Sequence, residues 1–417
     1  MSTGQSGKIP AGAHRGLAFL ALAMFLGMTT WFSASAVLPQ LVLRFNLSTT
    51  SSAWLTVGVQ VGFVVGAVLL ALTSAADRFG SRQLMATGAA LAGAVNLSLL
   101  VVDTGVGLIV VRVVTGACLA GVYPSATKAI ATWFRASRAT AIAVLIGALT
   151  LGSASPHLAA AAGGMDWRVV VVVTSTLSAL GGATALWLAT DGPYSFPRSR
   201  LRLGEAARAF MARPVFLTSL GYFGHMWELY AMWSWFAVFF GSVLSNNRAT
   251  DETALGSLVT FAVIGVGAVG CWAGGQLAER IGSARTAIFS MIVSGSCALS
   301  IGWLAGGPVW VVIAVALIWG FSVISDSAQF STLIIEVADQ RYVGSILTLQ
   351  MALGYLVTVP AVWLTPLLEK SSGWGPAFVL LAMGPLVGVW AIIRYLVSPP
   401  VRSVGYVFAG RFRRGRG

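Results

Sequence analysis

Twelve apolar runs, each long enough for a helix to cross a bilayer, follow one another along the chain, at 17–43, 51–75, 84–102, 107–132, 139–162, 169–190, 215–244, 254–278, 286–304, 309–334, 343–367 and 374–397. A spanning helix needs about 20 predominantly apolar residues. Lipid offers no partner to an exposed backbone N–H or C=O, so each run is expected to be a helix that satisfies its own peptide groups. The abundant Gly and Ala suit close contact between such helices. Only 9% of residues are charged, where a soluble domain carries about 25%. This excludes a soluble enzyme and a secreted disulfide scaffold. The first run is too long for the core of a signal peptide and is expected to remain as a span. Cys118, Cys271 and Cys297 lie inside apolar runs at no ligand or disulfide spacing and read as small apolar side chains.

The net charge of +13 is explained by where the basic residues fall. If the N-terminus lies inside, the connections on its side and the two ends, counted with Arg394 in the last turn of the twelfth run, hold 20 of the 26 Lys and Arg residues. The opposite connections hold Arg44, Arg168, Arg248 and Lys370, while Arg112 and Lys128 lie within a span. By the positive-inside rule this orients the chain with both termini cytoplasmic. The basic residues then meet anionic headgroups, and no nucleic-acid partner is called for. The expected organisation is a six-helix bundle over 1–190, a basic cytoplasmic linker over 191–214, a second six-helix bundle over 215–397 and a basic cytoplasmic tail over 398–417. The Ala- and Val-rich, Arg-over-Lys composition with short loops points to a bacterial inner membrane, and a monomer is the expected state.

The two halves repeat. Asp77-Arg78-Phe79-Gly80-Ser81-Arg82 follows the second run, and Glu279-Arg280-Ile281-Gly282-Ser283-Ala284-Arg285 follows the eighth, with the acids 202 positions apart. Duplication of a six-helix unit is the economical explanation. This doubled motif resembles the loop signature of the major facilitator superfamily. Thr73 stands where that family's pattern has Gly, and Gly275 keeps the Gly in the second half. Arg112 followed by Gly116 is similar to a second family motif, and Gly147, Gly152 and Pro156 partly resemble its antiporter motif. The stretch Gly121-Val122-Tyr123-Pro124 through Lys128 to Trp133-Phe134 resembles the anion-cation symporter and the cyanate- or nitrate-porter-like branches. The resemblance implies two pseudo-symmetric bundles of six helices working by alternating access around a central cavity.

The charged and aromatic positions suggest how. In the repeated loop, Asp77, Arg78, Gly80 and Arg82, with Glu279, Arg280, Gly282 and Arg285, suit gating: the carboxylates can pair across the inner face and the glycines permit a tight turn. An Arg inside a span is tolerated where it faces a bundle interior or a wet cavity. Arg112 is therefore either an anion-attracting wall of the cavity, with Tyr123 on the same helical face, or a structural Arg bonded to carbonyls. Lys128 either binds an entering anion or snorkels to the interface. Glu228 with His225 three residues earlier is the expected proton carrier, and the alternative is a static tie between Glu228 and Arg112. Asp326 is a second coupling candidate. His157 is expected to be a satisfied hydrogen-bonding residue. Trp31 and Tyr230, at interior depth, are expected to line the cavity. No ATP-binding loop, zinc cluster or nucleophile elbow is present, so no enzymatic activity, metal or cofactor is expected. The expected function is proton-coupled symport of a small organic anion. Proton-coupled export of a drug-like amphipath and a non-transporting membrane sensor of the same fold are the alternatives.

Overall fold

A computed structural model of the chain describes residues 10–73, 79–134, 138–162, 166–194, 208–247, 252–338 and 343–398. Among these residues the regular structure is helical throughout. Eleven helices or helix pairs are long and apolar enough to cross a membrane. The twelfth crossing is Arg213–Asn246, whose 34 residues exceed the required length although His225 and Glu228 lower its hydropathy. An even number of crossings returns the chain to the side where it began, here called the terminal face.

In chain order the crossings are α1a (Ala13–Gly27) with α1b (Leu38–Phe45), α2 (Thr49–Leu72), α3 (Ser81–Leu97), α4a (Gly105–Leu119) with α4b (Tyr123–Ala131), α5 (Arg138–Ala162) and α6 (Trp167–Trp187). The second half comprises α7 (Arg213–Asn246), α8 (Glu252–Ile281), α9 (Ser283–Ile301), α10a (Val309–Ser322) with α10b (Ser327–Val337), α11 (Val343–Ser372) and α12 (Trp374–Leu396). Local chemistry sets several starts. Thr104 Oγ1 accepts the Gly107 amide at 3.1 Å to cap α4a, and Asp166 Oδ1 accepts the Arg168 amide at 2.9 Å ahead of α6.

Three of the runs are broken, of which Pro124 announces the fourth while the first and tenth were expected to be continuous. The first passes through short 3-10 turns at Met28–Thr30 and Ser35–Val37. The fourth breaks before Tyr123, with Pro124 in the first turn of α4b, where its missing N–H removes no helical bond. The tenth breaks between Ser322 and Ser327, leaving Asp326 at the head of α10b. Helical periodicity of an apolar run does not reveal such breaks, because both sides of the break stay apolar. The face shared by Arg112 and Tyr123 on one uninterrupted helix is therefore not realised.

The halves are related by an offset of 204 positions at their tightest contacts. Gly116 of α4a sits against the Val59 carbonyl of α2, and Gly320 of α10a sits against the Val263 carbonyl of α8. A Cβ at either glycine would overlap backbone, so glycine is what lets each pair close. The two bundles meet along α5 against α8 and α2 against α11. On the α5–α8 seam Gly147 faces Ala268, and Gly275 faces Ala143. Its counterpart Thr73 is exposed and turns its hydroxyl back to the Leu69 carbonyl at 2.7 Å.

Gly116→Ala and Gly320→Ala are each expected to destabilise the fold by ~1–3 kcal/mol, the usual cost of forcing atoms into a packed contact. Thermal melting in detergent checks this, with Gly241→Ala, whose Cβ meets nothing within 4 Å, expected to melt like the parent.

Candidate functional site

Where the two bundles meet at the centre, aromatic side chains fill the space. A residual cavity of about 20 Å³ is lined by Tyr123, Tyr222, Tyr230, Trp233, Tyr355, Met226 and Ser327 with a few aliphatic neighbours, and none of its lining residues is charged. The rings cross from one half to the other. Trp31, in the break of the first span, lies 5.6 Å from both Tyr230 and Tyr355, and Phe63 of α2 lies 4.3 Å from Tyr355. Phe32 packs edge-on against Trp233 at 6.0 Å. The Tyr230 and Tyr355 hydroxyls meet at 2.8 Å, so their polar ends are satisfied within the cluster. Each such ring pair contributes about 0.5–1.5 kcal/mol beyond its buried area. Together they hold the centre closed.

On the terminal-face side of this cluster lies an ionisable pair. His225 Nδ1 of α7 is 2.8 Å from Asp326 Oδ1, and both side chains are almost wholly buried. Asp326 precedes the first residue of α10b, where the helix's partial positive charge favours a carboxylate. The Tyr222 and Phe330 rings flank the imidazole at 6.1 and 5.6 Å. At the matching break in the first half, 204 positions earlier, stands the apolar Val122.

Two further polar nodes are built on corresponding helices of the two halves. In the first, Arg112 of α4a is fully buried and donates to the Thr30 carbonyl, Ser33 Oγ and Asn96 Oδ1, each at 3.0 Å, and to the Trp31 carbonyl. Asn96 of α3 extends the network to Ser175 of α6 at 3.0 Å. In the second, both oxygens of Glu228 on α7 accept hydrogen bonds at 2.8 Å, one from Trp319 Nε1 of α10a and the other from Ser294 Oγ of α9.

These contacts correct three expectations. His225 pairs with Asp326 and not with Glu228, because the turn before α10b brings Asp326 up to the imidazole. Arg112 and Glu228 do not form a tie, since each is engaged within its own bundle. Arg112 is not a cavity wall in this conformation, because its guanidinium holds the carbonyls freed where the first span breaks.

The sequence profile described as Major Facilitator Superfamily matches residues 20–362. The chain belongs to that superfamily. Among solved structures, it is similar to a bacterial homolog of the human lysosomal transporter Spinster, crystallised in an inward-facing and unoccupied conformation. The TM-score is 0.67 at 16% identity, over 94% of this chain and 96% of that one. At that identity the likeness is one of fold. No curated protein matches the sequence.

Within this superfamily fold the remaining expected site residues separate into groups. Tyr123 and Tyr230 line the cavity and Trp31 packs against Tyr230. Lys128, on α4b, is half-buried and is not among the cavity's lining residues. Asp77 and Arg78 lie outside the described residues, as do most of the linker and the tail beyond 398. Gly80 adopts an ordinary extended conformation (φ −63°) that any residue reaches, whereas Gly282 has φ +88° and does need glycine. Arg82 reaches the Ala189 carbonyl at 3.5 Å, within its own half. Glu279 instead crosses the seam and accepts from Thr140 Oγ1 of α5 at 3.5 Å. Arg280 and Arg285 are exposed. His157, expected to be satisfied, has no partner on either ring nitrogen although it is 1% exposed.

Sequence reasoning missed Tyr222, Met226, Trp319, Ser294, Asn96 and Tyr355. A usable signal existed for the first two: Tyr222, Met226, Tyr230 and Trp233 recur at helical spacing along α7. The others reach the site through tertiary contacts alone. A larger groove, about 440 Å³ and lined by Trp272, Phe289 and Phe321, lies outside the second bundle between α8, α9 and α10a, away from the seam.

Arg112→Leu is expected to leave the Trp31 carbonyl unsatisfied and to strip the Thr30 carbonyl and Asn96 Oδ1 of their charged donor, leaving each only Ser33, at about 1–3 kcal/mol for the group left unpaired. Aggregation or a melting temperature lowered by more than ten degrees in size-exclusion and thermal assays checks this. Arg112→Lys is expected to recover only part of the loss, because one ammonium cannot reproduce the planar fork.

Proposed function

We propose that the chain is a proton-coupled secondary transporter of an amphipathic aromatic compound that carries no net negative charge. The observation that carries this is the composition of the central cavity: aromatic faces, tyrosine hydroxyls and a methionine, with no basic side chain among the lining residues. Aromatic faces attract cations and stack on planar rings, and offer little to a carboxylate. Anion symport, the first expectation, leaned on Arg112 with Lys128; the Arg112 guanidinium is committed to the first span and Asn96, and Lys128 is not among the lining residues. The drug-like amphipath, its alternative, is the better fit.

The proposed cycle follows from what closes the centre. Opening separates Trp31 and Phe63 from Tyr230 and Tyr355, forfeiting ring contacts. A bound aromatic substrate replaces them, which lowers the barrier to opening only when substrate is present. The His225–Asp326 pair is the proposed coupling site: a proton held between an imidazole and a carboxylate at the head of α10b can be released or taken up as that segment moves. Each unit charge carried across 100 mV contributes about 2.3 kcal/mol, enough to bias the cycle. Glu228, with both oxygens held by Trp319 and Ser294, is the second coupling candidate. Glu279 and the repeated loop motif are proposed as the gate on the terminal face, through the contact with Thr140 across the seam. Under this proposal the terminal face is the cytoplasmic side of a bacterial inner membrane, and the excess of basic residues on that face supports the orientation.

Rhodamine 6G and tetraphenylphosphonium, both aromatic cations, are expected to raise the melting temperature of the purified protein by several degrees, with succinate and benzoate without effect, since a ligand that binds only the folded state stabilises it. Stabilisation by the two anions alone would return the function to anion symport. In proteoliposomes, Asp326→Asn is expected to abolish transport driven by an imposed pH step while preserving substrate exchange at equal pH, which needs no net proton movement. Glu228→Gln is expected to keep both. The reverse outcome would make Glu228 the carrier.

A further inference from the structure

On the side of the aromatic cavity away from the chain ends, several buried polar side chains lack partners. Ser153 Oγ, both nitrogens of His157, Trp31 Nε1 and Trp233 Nε1 make no hydrogen bond, and each of these residues is only 1% exposed. Folded proteins keep few such atoms, and each costs about 1–3 kcal/mol. Helix direction and facing put the four residues on the same side of the cavity.

Along α5, Ala143, Gly147 and Thr150 face α8, while Val144, Leu151 and Leu158 are exposed on the outside of the bundle. Ile146 and Leu149 line the cavity. Ser153 and His157 lie seven and eleven residues beyond Ile146, so at 3.6 residues per turn they continue the cavity-facing side of α5. α5 and α7 both run away from the terminal face. Ser153, one turn past Leu149, therefore stands just beyond the cavity, Trp233, one turn past Tyr230, lines its far end, and Trp31 and Trp233 both pack on Tyr230, at 5.6 and 5.8 Å.

An indole N–H can only donate, and a hydroxyl and an imidazole both have a proton to give. What such a group recognises is an acceptor. We propose that Trp31, Ser153, His157 and Trp233 form a donor-rich subsite that receives a carbonyl or ether oxygen of the transported aromatic compound. The subsite rests on the transport function proposed above and adds a specificity determinant to it: the aromatic cage takes the rings, and these four side chains take the acceptor.

Two probes separate the contributions. Rhodamine 6G carries an ester carbonyl and a ring ether oxygen, whereas tetraphenylphosphonium is an aromatic cation with no hydrogen-bonding group. Dissociation constants of the full-length protein are measured for both by equilibrium dialysis. His157→Leu and Trp233→Phe are expected to weaken rhodamine 6G about tenfold, and Ser153→Ala about threefold, in keeping with the loss of one hydrogen bond each. His157→Gln, which keeps a donor, is expected to restore most of the affinity. Tetraphenylphosphonium is expected to bind the Ser153 and His157 variants within twofold of the parent; Trp233 also lines the aromatic cavity, so its variant is read by the excess loss for rhodamine 6G over tetraphenylphosphonium. Equal losses for both probes would show that these residues only pack the closed state, and unchanged rhodamine 6G affinity would show that water alone satisfies them. Either result overturns the subsite while leaving the transport function standing. A parent protein that binds neither probe overturns the aromatic-substrate function and the subsite with it. Ser153→Ala, which removes a single atom, carries the test if His157→Leu does not assemble.

Discussion

A backbone break inside a bilayer frees carbonyls and amides that lipid cannot satisfy, and three of the twelve crossings break. The first break depends on Arg112. Its guanidinium gathers the Thr30 and Trp31 carbonyls together with Ser33 and Asn96, turning a charge that is costly in a membrane into the partner of an irregular backbone. That arrangement lets the first span turn out of helix at mid-depth and present Trp31 and Phe32 to the opposite bundle. The aromatic seam, the closed cavity and the apposition of the two halves all follow from it.

The two halves share a backbone plan and differ in where they keep charge. Gly116 on Val59 and Gly320 on Val263 are the same contact made twice, and the breaks before Tyr123 and Ser327 are the same break. In the first half, the charge sits on Arg112 and is spent on the backbone. In the second half, the charges are carboxylates: Glu228 is held by two neutral donors, and Asp326 stands at a helix start beside His225. A pseudo-symmetric frame whose buried carboxylates, among the described residues, are gathered in one half suits a proposed division of labour. One bundle provides a fixed wall, and the other carries the proton.

The central layer joins these features to the proposed transport. Ring pairs from both halves close the path through contacts that an aromatic substrate can imitate, so substrate and closed state compete for the same surfaces. The unpartnered donors at the far end of the cavity then act on a different property of the substrate from the one the rings select. Glu279, reaching Thr140 across the α5–α8 seam, belongs to a separate layer near the terminal face. Closure there and closure at the centre use different chemistry, one polar and exposed, the other aromatic and dry.

Twelve crossings, a duplicated half and membership of a transporter superfamily were legible in the sequence, because each rests on properties that add along the chain: apolar length, charge placement and a motif repeated at a fixed interval. Trp31 and Tyr230 were expected at the centre from their depth and type, whereas Tyr123 was placed there by a helical face shared with Arg112 that the break before it removes. The break in the fourth span was signalled by Pro124, but those in the first and tenth were not, since no proline marks them and only tertiary partners make the irregular backbone tolerable there. Nor could spacing assign the partners of the ionisable groups. His225 lies three residues from Glu228 on one helix, yet it meets Asp326 from another, because a side chain that projects toward a neighbouring helix finds its partner across the packing interface and not along its own turn. Whether Arg112 would face a ligand or a carbonyl was likewise decided by the fold: chain order records that an Arg lies within a span, and only the packing of α4a against the broken first span determines what that Arg holds.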